Sequence, residues 1–312
     1  MSGRAGPGGP ALVIGFPDYE APARRLAEAA GLPYESVTVH RFPDGESRLL
    51  LPQALPAHCV LCRSLDHPDA KLVQLILAAA GARGLGAKRL TLVAPYLCYM
   101  RQDKAFHPGE VVSQRIVGEL LGRYFDGVLT VDAHLHRVHS LIEAVPVPVA
   151  VNLTPDALMA GLLAHELEDP YLLGPDAESE QWVRAIAAPH GFAFGVASKV
   201  RYGDRDVAVR LPRGIDPGRH VVLIDDVAST GRTLLAATRA LAAHRPASIS
   251  VLVTHAMFVD DADQQLRDAG VEHIWSCDSI VHPTNRLALA EPMAERLSEF
   301  RIPAGKHGAA SL

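Results

Sequence analysis

What most limits the fold of this chain is a set of short, unbroken apolar runs separated by stretches of helical periodicity. The runs are Leu12-Val13-Ile14-Gly15, Leu90-Thr91-Leu92-Val93-Ala94, Val128-Leu129-Thr130-Val131, Val221-Val222-Leu223-Ile224 and Ile249-Ser250-Val251-Leu252-Val253. A strand that is apolar on both faces has to be covered on both sides. The amphipathic stretches 72–80, 111–121 and 233–243 lie between the runs and can supply that cover. The expected class is therefore α/β, a mainly parallel sheet flanked by helices.

The pattern occurs twice. Run 90–94 leads into the polar loop 96–104 and then a helix, and run 221–224 leads into the loop 225–232 and another helix. With 312 residues, 48% of them hydrophobic, there is core material for two such domains. They are expected at 11–147 and 148–302, joined near 145–153 where prolines and valines alternate, with flexible tails at 1–10 and 303–312. In open parallel sheets ligands bind where loops leave the carboxyl ends of strands, so both polar loops are candidate sites.

Composition excludes some classes. The 35 acidic and 30 basic residues give a net charge of −5, which argues against a nucleic-acid partner held by a broad basic field. No apolar run nears the roughly 20 residues that span a bilayer, and the stretch 11–16 is too short for a secretory core. With only four cysteines, a reducing cytoplasmic home is expected. Cys59 and Cys62 form a C-x-x-C, but inside a strand-like run. A period of two sends them to opposite faces, so they are expected to pack in cores. Gly84-Leu85-Gly86 precedes a strand and is expected to end a helix, and no Walker A loop is present.

The richest segment is 221–233. An apolar strand delivers Asp225 and Asp226 to its tip, and the small residues Val227-Ala228-Ser229-Thr230-Gly231 then open a helix at Arg232-Thr233. Unpaired first-turn amides, the hydroxyls of Ser229, Thr230 and Thr233, and the positive helix end make an anion cradle. Gly231 permits close backbone approach, and Arg232 adds a charged contact. The two carboxylates would repel a phosphate and so face vicinal hydroxyls or hydrated Mg²⁺. Phosphate at one end and diol at the other describe a ribose 5-phosphate. The competing reading is a helix capped by Ser229 or Thr230.

An acidic pair followed by S-T-G-x-T resembles the phosphoribosyl diphosphate loop of type I phosphoribosyltransferases. Four more segments, Arg41-Phe42-Pro43-Asp44-Gly45-Glu46, 95–104 with Arg101-Gln102-Asp103-Lys104, Asp132-Ala133-His134 and Gly174-Pro175-Asp176, occur in the order seen in ribose-phosphate pyrophosphokinases. The stretch 101–110 looks most like the archaeal-type branch. The resemblance implies two similar type I phosphoribosyltransferase-like domains. It also implies transfer of the β,γ-diphosphoryl group of ATP to the 1-hydroxyl of ribose 5-phosphate, with release of AMP.

By that resemblance Arg101, Gln102 and His134 bind ATP, joined by Phe42, Asp44 and Glu46 of a loop that reaches into a neighbouring subunit, so a homo-oligomer is expected. His134 and Asp176 hold the Mg²⁺ on ATP, and a second Mg²⁺ near Asp225 and Asp226 could activate the attacking hydroxyl. Lys199 and Arg201 match the catalytic lysine and its partner arginine, at the start of a lid-like stretch 202–206. Asp225, Asp226, Ser229, Thr230, Gly231, Arg232 and Thr233 take ribose 5-phosphate. Taken alone, Phe42–Glu46 reads equally as a hairpin turning at Asp44-Gly45, and Lys199 with Arg201 as a solvated charge run. His136 and His139, which with His134 spell H-x-H-x-x-H, stay unassigned.

Two residues depart from the family pattern: Ser229 stands where bacterial and animal members usually carry a third aspartate, and Arg232 where they usually carry glycine or alanine. Three other readings are a phosphoribosyltransferase of nucleotide salvage, a non-catalytic regulatory paralogue and a diphosphokinase for another sugar phosphate. The first would need a base-recognition hood and no ATP site.

Overall fold

The structure is a computed structural model that describes residues 11–135, 137–201 and 207–300, with 199–201, 207 and 208 described by backbone alone. The expected tails, His136 and the lid stretch 202–206 lie outside the described residues.

In chain order the first half comprises β1 (Leu12–Gly15), α1 (Glu20–Ala30), β2 (Tyr34–Ser36), β3 (Thr38–Arg41), β4 (Ser47–Leu50), β5 (His58–Cys62), α2 (Pro68–Gly84), β6 (Arg89–Ala94), α3 (Ser113–Tyr124), β7 (Gly127–Val131), α4 (Leu141–Ala144) and β8 (Val149–Leu153). The second half comprises α5 (Asp156–Glu166), β9 (Tyr171–Gly174), α6 (Glu180–Ala187), β10 (Ala193–Val196), β11 (Ser198–Arg201), β12 (Val207–Arg210), β13 (His220–Ala228), α7 (Arg232–Ala242), β14 (Ser248–Ala256), α8 (Ala262–Asp268), β15 (Val271–Cys277), β16 (Asn285–Leu287) and α9 (Ala290–Leu297).

Each half builds a six-stranded parallel sheet, ordered β2-β1-β5-β6-β7-β8 and β10-β9-β13-β14-β15-β16. Period-two alternation divides each strand between two apolar layers. Cys59 and Leu61 of β5 face the first half's outer layer, whereas Val60 and Cys62 face a layer between the halves. Likewise Leu223 of β13 faces the second half's outer layer, while Val222 and Ile224 face inward. The shared layer is filled by α1, α5, α6 and α9, so one continuous core joins the halves. Each fully buried Leu or Ile contributes on the order of 1.5–3 kcal/mol, and a one-residue slip would exchange the two layers of a strand. The C-x-x-C pair is thus split across its sheet as expected. Burial pushes the Cys59 thiol up to about 11 and that of Cys62 higher still, so neither is a ready nucleophile. α2 ends at Gly84, and Gly86 follows with φ +104°.

One boundary differs from expectation. A division at 147/148 would cut β8 from its sheet, because Val149–Leu153 extends the parallel ladder beside β7 and buries Val151 and Leu153 in the shared layer. The chain also returns to the first half at its far end. α9 packs on α1, and the Phe300 ring lies against Gly127, where a Cβ would meet its Cδ1 at 2.6 Å.

Candidate functional site

β13 runs further than its apolar core. Its pairing with β14 continues through Asp225↔Val253, Val227↔His255 and Ala228↔Ala256, so the acidic pair lies within the strand and not in the loop after it. Neighbouring strand residues point to opposite faces. Asp225 is half-buried, whereas Asp226 is buried. The turn beyond ends at Gly231, which has φ +65° and stands at the N-cap of α7 with no side-chain cap. That conformation suits glycine. Neither Ser229 nor Thr230 caps the helix, so the simple capping reading of this loop does not hold. The first turn of α7 instead faces a cavity lined by Ser229, Thr230, Gly231, Arg232 and Thr233.

The opposite wall comes from the neighbouring strand. Asp176 follows β9, and β10 is added on one side of β9 and β13 on the other, so the strand order switches sides between β9 and β13, the place where open α/β sheets bind ligands. The Asp176 carboxylate accepts a hydrogen bond from the Glu178 amide at 3.1 Å, and Ser179 Oγ donates to the Asp176 carbonyl at 2.6 Å. This fixes the turn that starts α6 and leaves Asp176, Glu178 and Trp182 lining the cavity.

The first half closes it with Arg101 and His134. After β7 the chain turns through Asp132 (φ +45°), whose amide donates to the Leu153 carbonyl at 2.7 Å, and the Ala133 amide donates to Asn152 Oδ1 at 2.9 Å. His134 Nδ1 then meets Asp226 Oδ2 across the halves. Arg101 follows the loop after β6, which is pinned where the Leu65 amide donates to the Tyr96 carbonyl at 3.0 Å and Gln114 Nε2 donates to the Met100 carbonyl at 3.1 Å. Arg101 and the Ser229–Thr233 turn therefore share one cavity, as a reaction between two bound anions needs.

Other candidates stand apart. Gln102 turns toward α3, where Ser113 Oγ donates to its Oε1 at 3.3 Å. Phe42, Asp44 and Glu46 sit at the tip of the β3–β4 hairpin, closed by Phe42 and Glu46 backbone pairing at 2.8 Å, and all three are exposed. The Asp44-Gly45 hairpin signal was sound, and the tip is not part of this cavity. Lys199 and Arg201 belong to β11, paired antiparallel with β12; their side chains lie outside the description. His139 is exposed.

Sequence reasoning passed over Trp182, Glu178 and the buried pair Thr254 and His255. Asp132 accepts from Trp182 Nε1 at 2.6 Å and from Thr254 Oγ1 at 2.7 Å, and His255 Nε2 lies 3.3 Å from the Asp132 carbonyl oxygen. Asp132 was visible as part of the Asp132-Ala133-His134 segment. Its partners are distant in sequence, and no local pattern marks them.

The cavity is electrostatically loaded. Burial and the charges of Asp226 and Asp176 push the Asp225 carboxyl well above the usual range. Burial acts to raise Asp226 too, but its hydrogen bond with His134 and the fields of His134 and His255 outweigh that and hold it low. Burial lifts Asp132 to about 7 against its two hydrogen bonds, and burial lowers His255 to about 4. Carboxylates that raise one another's proton affinity fit a hard divalent cation, and carboxylate oxygens are the donors that suit Mg²⁺. Among the described residues, no group of three or more His, Cys, Asp and Glu is placed to hold a metal unaided, so a cation here needs oxygens from a substrate or water.

Comparison with known proteins gives a consistent result. Residues 13–124 match the N-terminal domain of ribose phosphate pyrophosphokinase, and residues 156–295 match the phosphoribosyl transferase domain. The chain is 33% identical over 281 residues to a ribose-phosphate pyrophosphokinase of Methanopyrus kandleri, covering 89% of this chain and 95% of that protein. It is 35% identical over 291 residues to one of Halobacterium salinarum, covering 92% and 100%. The fold matches the crystal structure of phosphoribosylpyrophosphate synthetase from Mycobacterium smegmatis with a TM-score of 0.82 at 20% identity, over 93% of this chain and 98% of that one.

Proposed function

Since the chain belongs to the ribose-phosphate pyrophosphokinase family, we propose that its shared cavity carries out the family reaction with the residues placed there. The β,γ-diphosphoryl group of ATP passes to ribose 5-phosphate. The sugar's 1-hydroxyl oxygen bonds to the β-phosphorus and its proton passes to solvent, the bond from that phosphorus to the oxygen bridging it to the α-phosphorus breaks, and AMP leaves with that oxygen and the electron pair.

The observation that carries this assignment is that Arg101 and the Ser229–Thr233 turn line one cavity between the halves. The 5-phosphate sits on the first turn of α7, among the hydroxyls of Ser229, Thr230 and Thr233 and the guanidinium of Arg232. Asp225 receives the ribose hydroxyls, while Asp226 orients His134. Arg101 takes phosphate oxygens of ATP in its planar fork. His134 and Asp176 would hold Mg²⁺, which when bound supplies neutralising charge on the transferring diphosphate. Lys199 and Arg201 add cationic charge from β11. Holding two polyanions in line and neutralising them accounts for most of what such a transfer requires.

Phe42, Asp44 and Glu46 complete the ATP site of a second copy, which makes the working enzyme a homo-oligomer. Their exposure on a hairpin outside the cavity supports that placement. Among the described residues no helix is long and apolar enough to cross a membrane.

Phosphorus NMR of the protein with MgATP and ribose 5-phosphate tests the reaction. Equal amounts of AMP and a new anomeric diphosphate are expected; ADP, or no turnover, would overturn it.

A further inference from the structure

The shared cavity contains a contact that the proposed chemistry does not use. Trp182, on α6 of the second half, is buried, and its ring lies nearly parallel to the His134 imidazole of the first half, 18° apart in plane with centroids 6.5 Å apart. Its Nε1–H donates at 2.6 Å to Asp132 Oδ1, two residues before His134. The other oxygen of that carboxylate accepts from Thr254 Oγ1 of the second half at 2.7 Å, so both oxygens of Asp132 are tied to the opposite half. His134 is thus bounded by the Trp182 ring and, at Nδ1, by Asp226.

We propose that Trp182 is a positioning residue: held by Asp132, its indole fixes the orientation of His134 and thereby the affinity of the site for MgATP. The inference rests on the assignment of His134 to the MgATP site. An indole N–H on a buried carboxylate oxygen has one strongly favoured orientation, because losing the bond would deprive the desolvated N–H and that oxygen of the partner each has here. A flat ring fixed in that way restricts the imidazole beside it. Groups that orient a metal-binding histidine commonly change metal affinity or activity by about 10–100-fold when removed. Trp182 touches neither reacting atom and acts through His134.

The test is a double-mutant cycle on MgATP affinity, read by calorimetry, with Trp182→Phe and His134→Ala singly and together. Trp182→Phe keeps an aromatic ring but removes the N–H. It is expected to weaken MgATP binding about tenfold in the otherwise native protein and less than twofold in the His134→Ala background. Ribose 5-phosphate affinity is expected to stay within twofold. In ¹⁵N spectra, the Trp182 indole resonance should shift in Asp132→Asn, which also serves as the second variant if Trp182→Phe does not fold. The proposal is overturned if MgATP binds Trp182→Phe as it binds the native protein, or if the tenfold loss persists without His134. If His134→Ala binds MgATP normally, the error lies in the assignment of His134 itself.

Discussion

The carboxylate of Asp226, on the last strand-paired segment of β13, meets Nδ1 of His134, which lies just past β7 in the other half. Two residues 92 positions apart thus share one contact at the cavity, and each of the two sheets contributes one side of it. Asp226→Asn keeps the shape but removes the charge that orients the imidazole. It is expected to weaken MgATP binding about 10–100-fold while ribose 5-phosphate affinity changes less than threefold, both read by calorimetry. The reverse split would return Asp226 to the sugar site.

The proposed reaction uses the charge of Lys199 on the transferring diphosphate. Lys199→Ala is expected to lower kcat at least about 100-fold with an apparent KM for MgATP within threefold, since charge placed where it develops in the transition state contributes chiefly to kcat. Steady-state AMP release measures both. A raised KM with native kcat would make the lysine a ground-state contact.

The exposed hairpin tip supplies a prediction about assembly. Phe42→Ala and His134→Ala are each expected to be weakly active alone. Mixed and reassembled, they should recover a measurable share of native turnover, because a site with an intact hairpin from one copy and an intact His134 from the other re-forms. Turnover of the mixture equal to the sum of the separate variants would place Phe42 within its own subunit's function or outside it.

Stability should depend on pH through His58. Burial, helped by the nearby positive charge of Arg89, lowers this histidine to about 4 from its ordinary 6.5. Its ring Nε2 lies 2.9 Å from Thr91 Oγ1. Between those values the unfolded chain takes up a proton that the folded chain refuses, so stability falls as pH is lowered through 6.5 toward 4, and this group adds no further loss below that. His58→Gln should reduce the loss between pH 7 and pH 4.5 by on the order of 1–2 kcal/mol in urea titrations, after allowance for partial exposure. An unchanged pH slope in the variant would contradict it.

Much of this architecture was legible in the chain because parallel-sheet patterning is local. Runs such as Val221–Ile224 and Leu90–Ala94 declare strands buried on both faces, and the turn through Gly231 declares the start of a helix. The split of Cys59 and Cys62 followed from a period of two. What local pattern cannot say is which sheet a strand joins. The prolines around Val149–Leu153 read as a linker, yet its valines complete the first sheet. The end of β13 was similarly hidden, since Asp225 and Asp226 look like loop residues until β14 is placed beside them. Trp182 and Thr254 escaped for the same reason: their meaning lies in Asp132, 50 and 122 positions away.

In the proposed reaction one cavity between the halves holds both substrates across a divalent cation. A crystal structure of the protein with Mn²⁺, α,β-methylene ATP and ribose 5-phosphate would locate all three. An anomalous Mn²⁺ peak is expected beside His134 and Asp176, with the sugar phosphate on the Ser229–Thr233 turn and the β-phosphorus facing its 1-hydroxyl. Nucleotide and sugar on separate surfaces, or Mn²⁺ away from both residues, would contradict it.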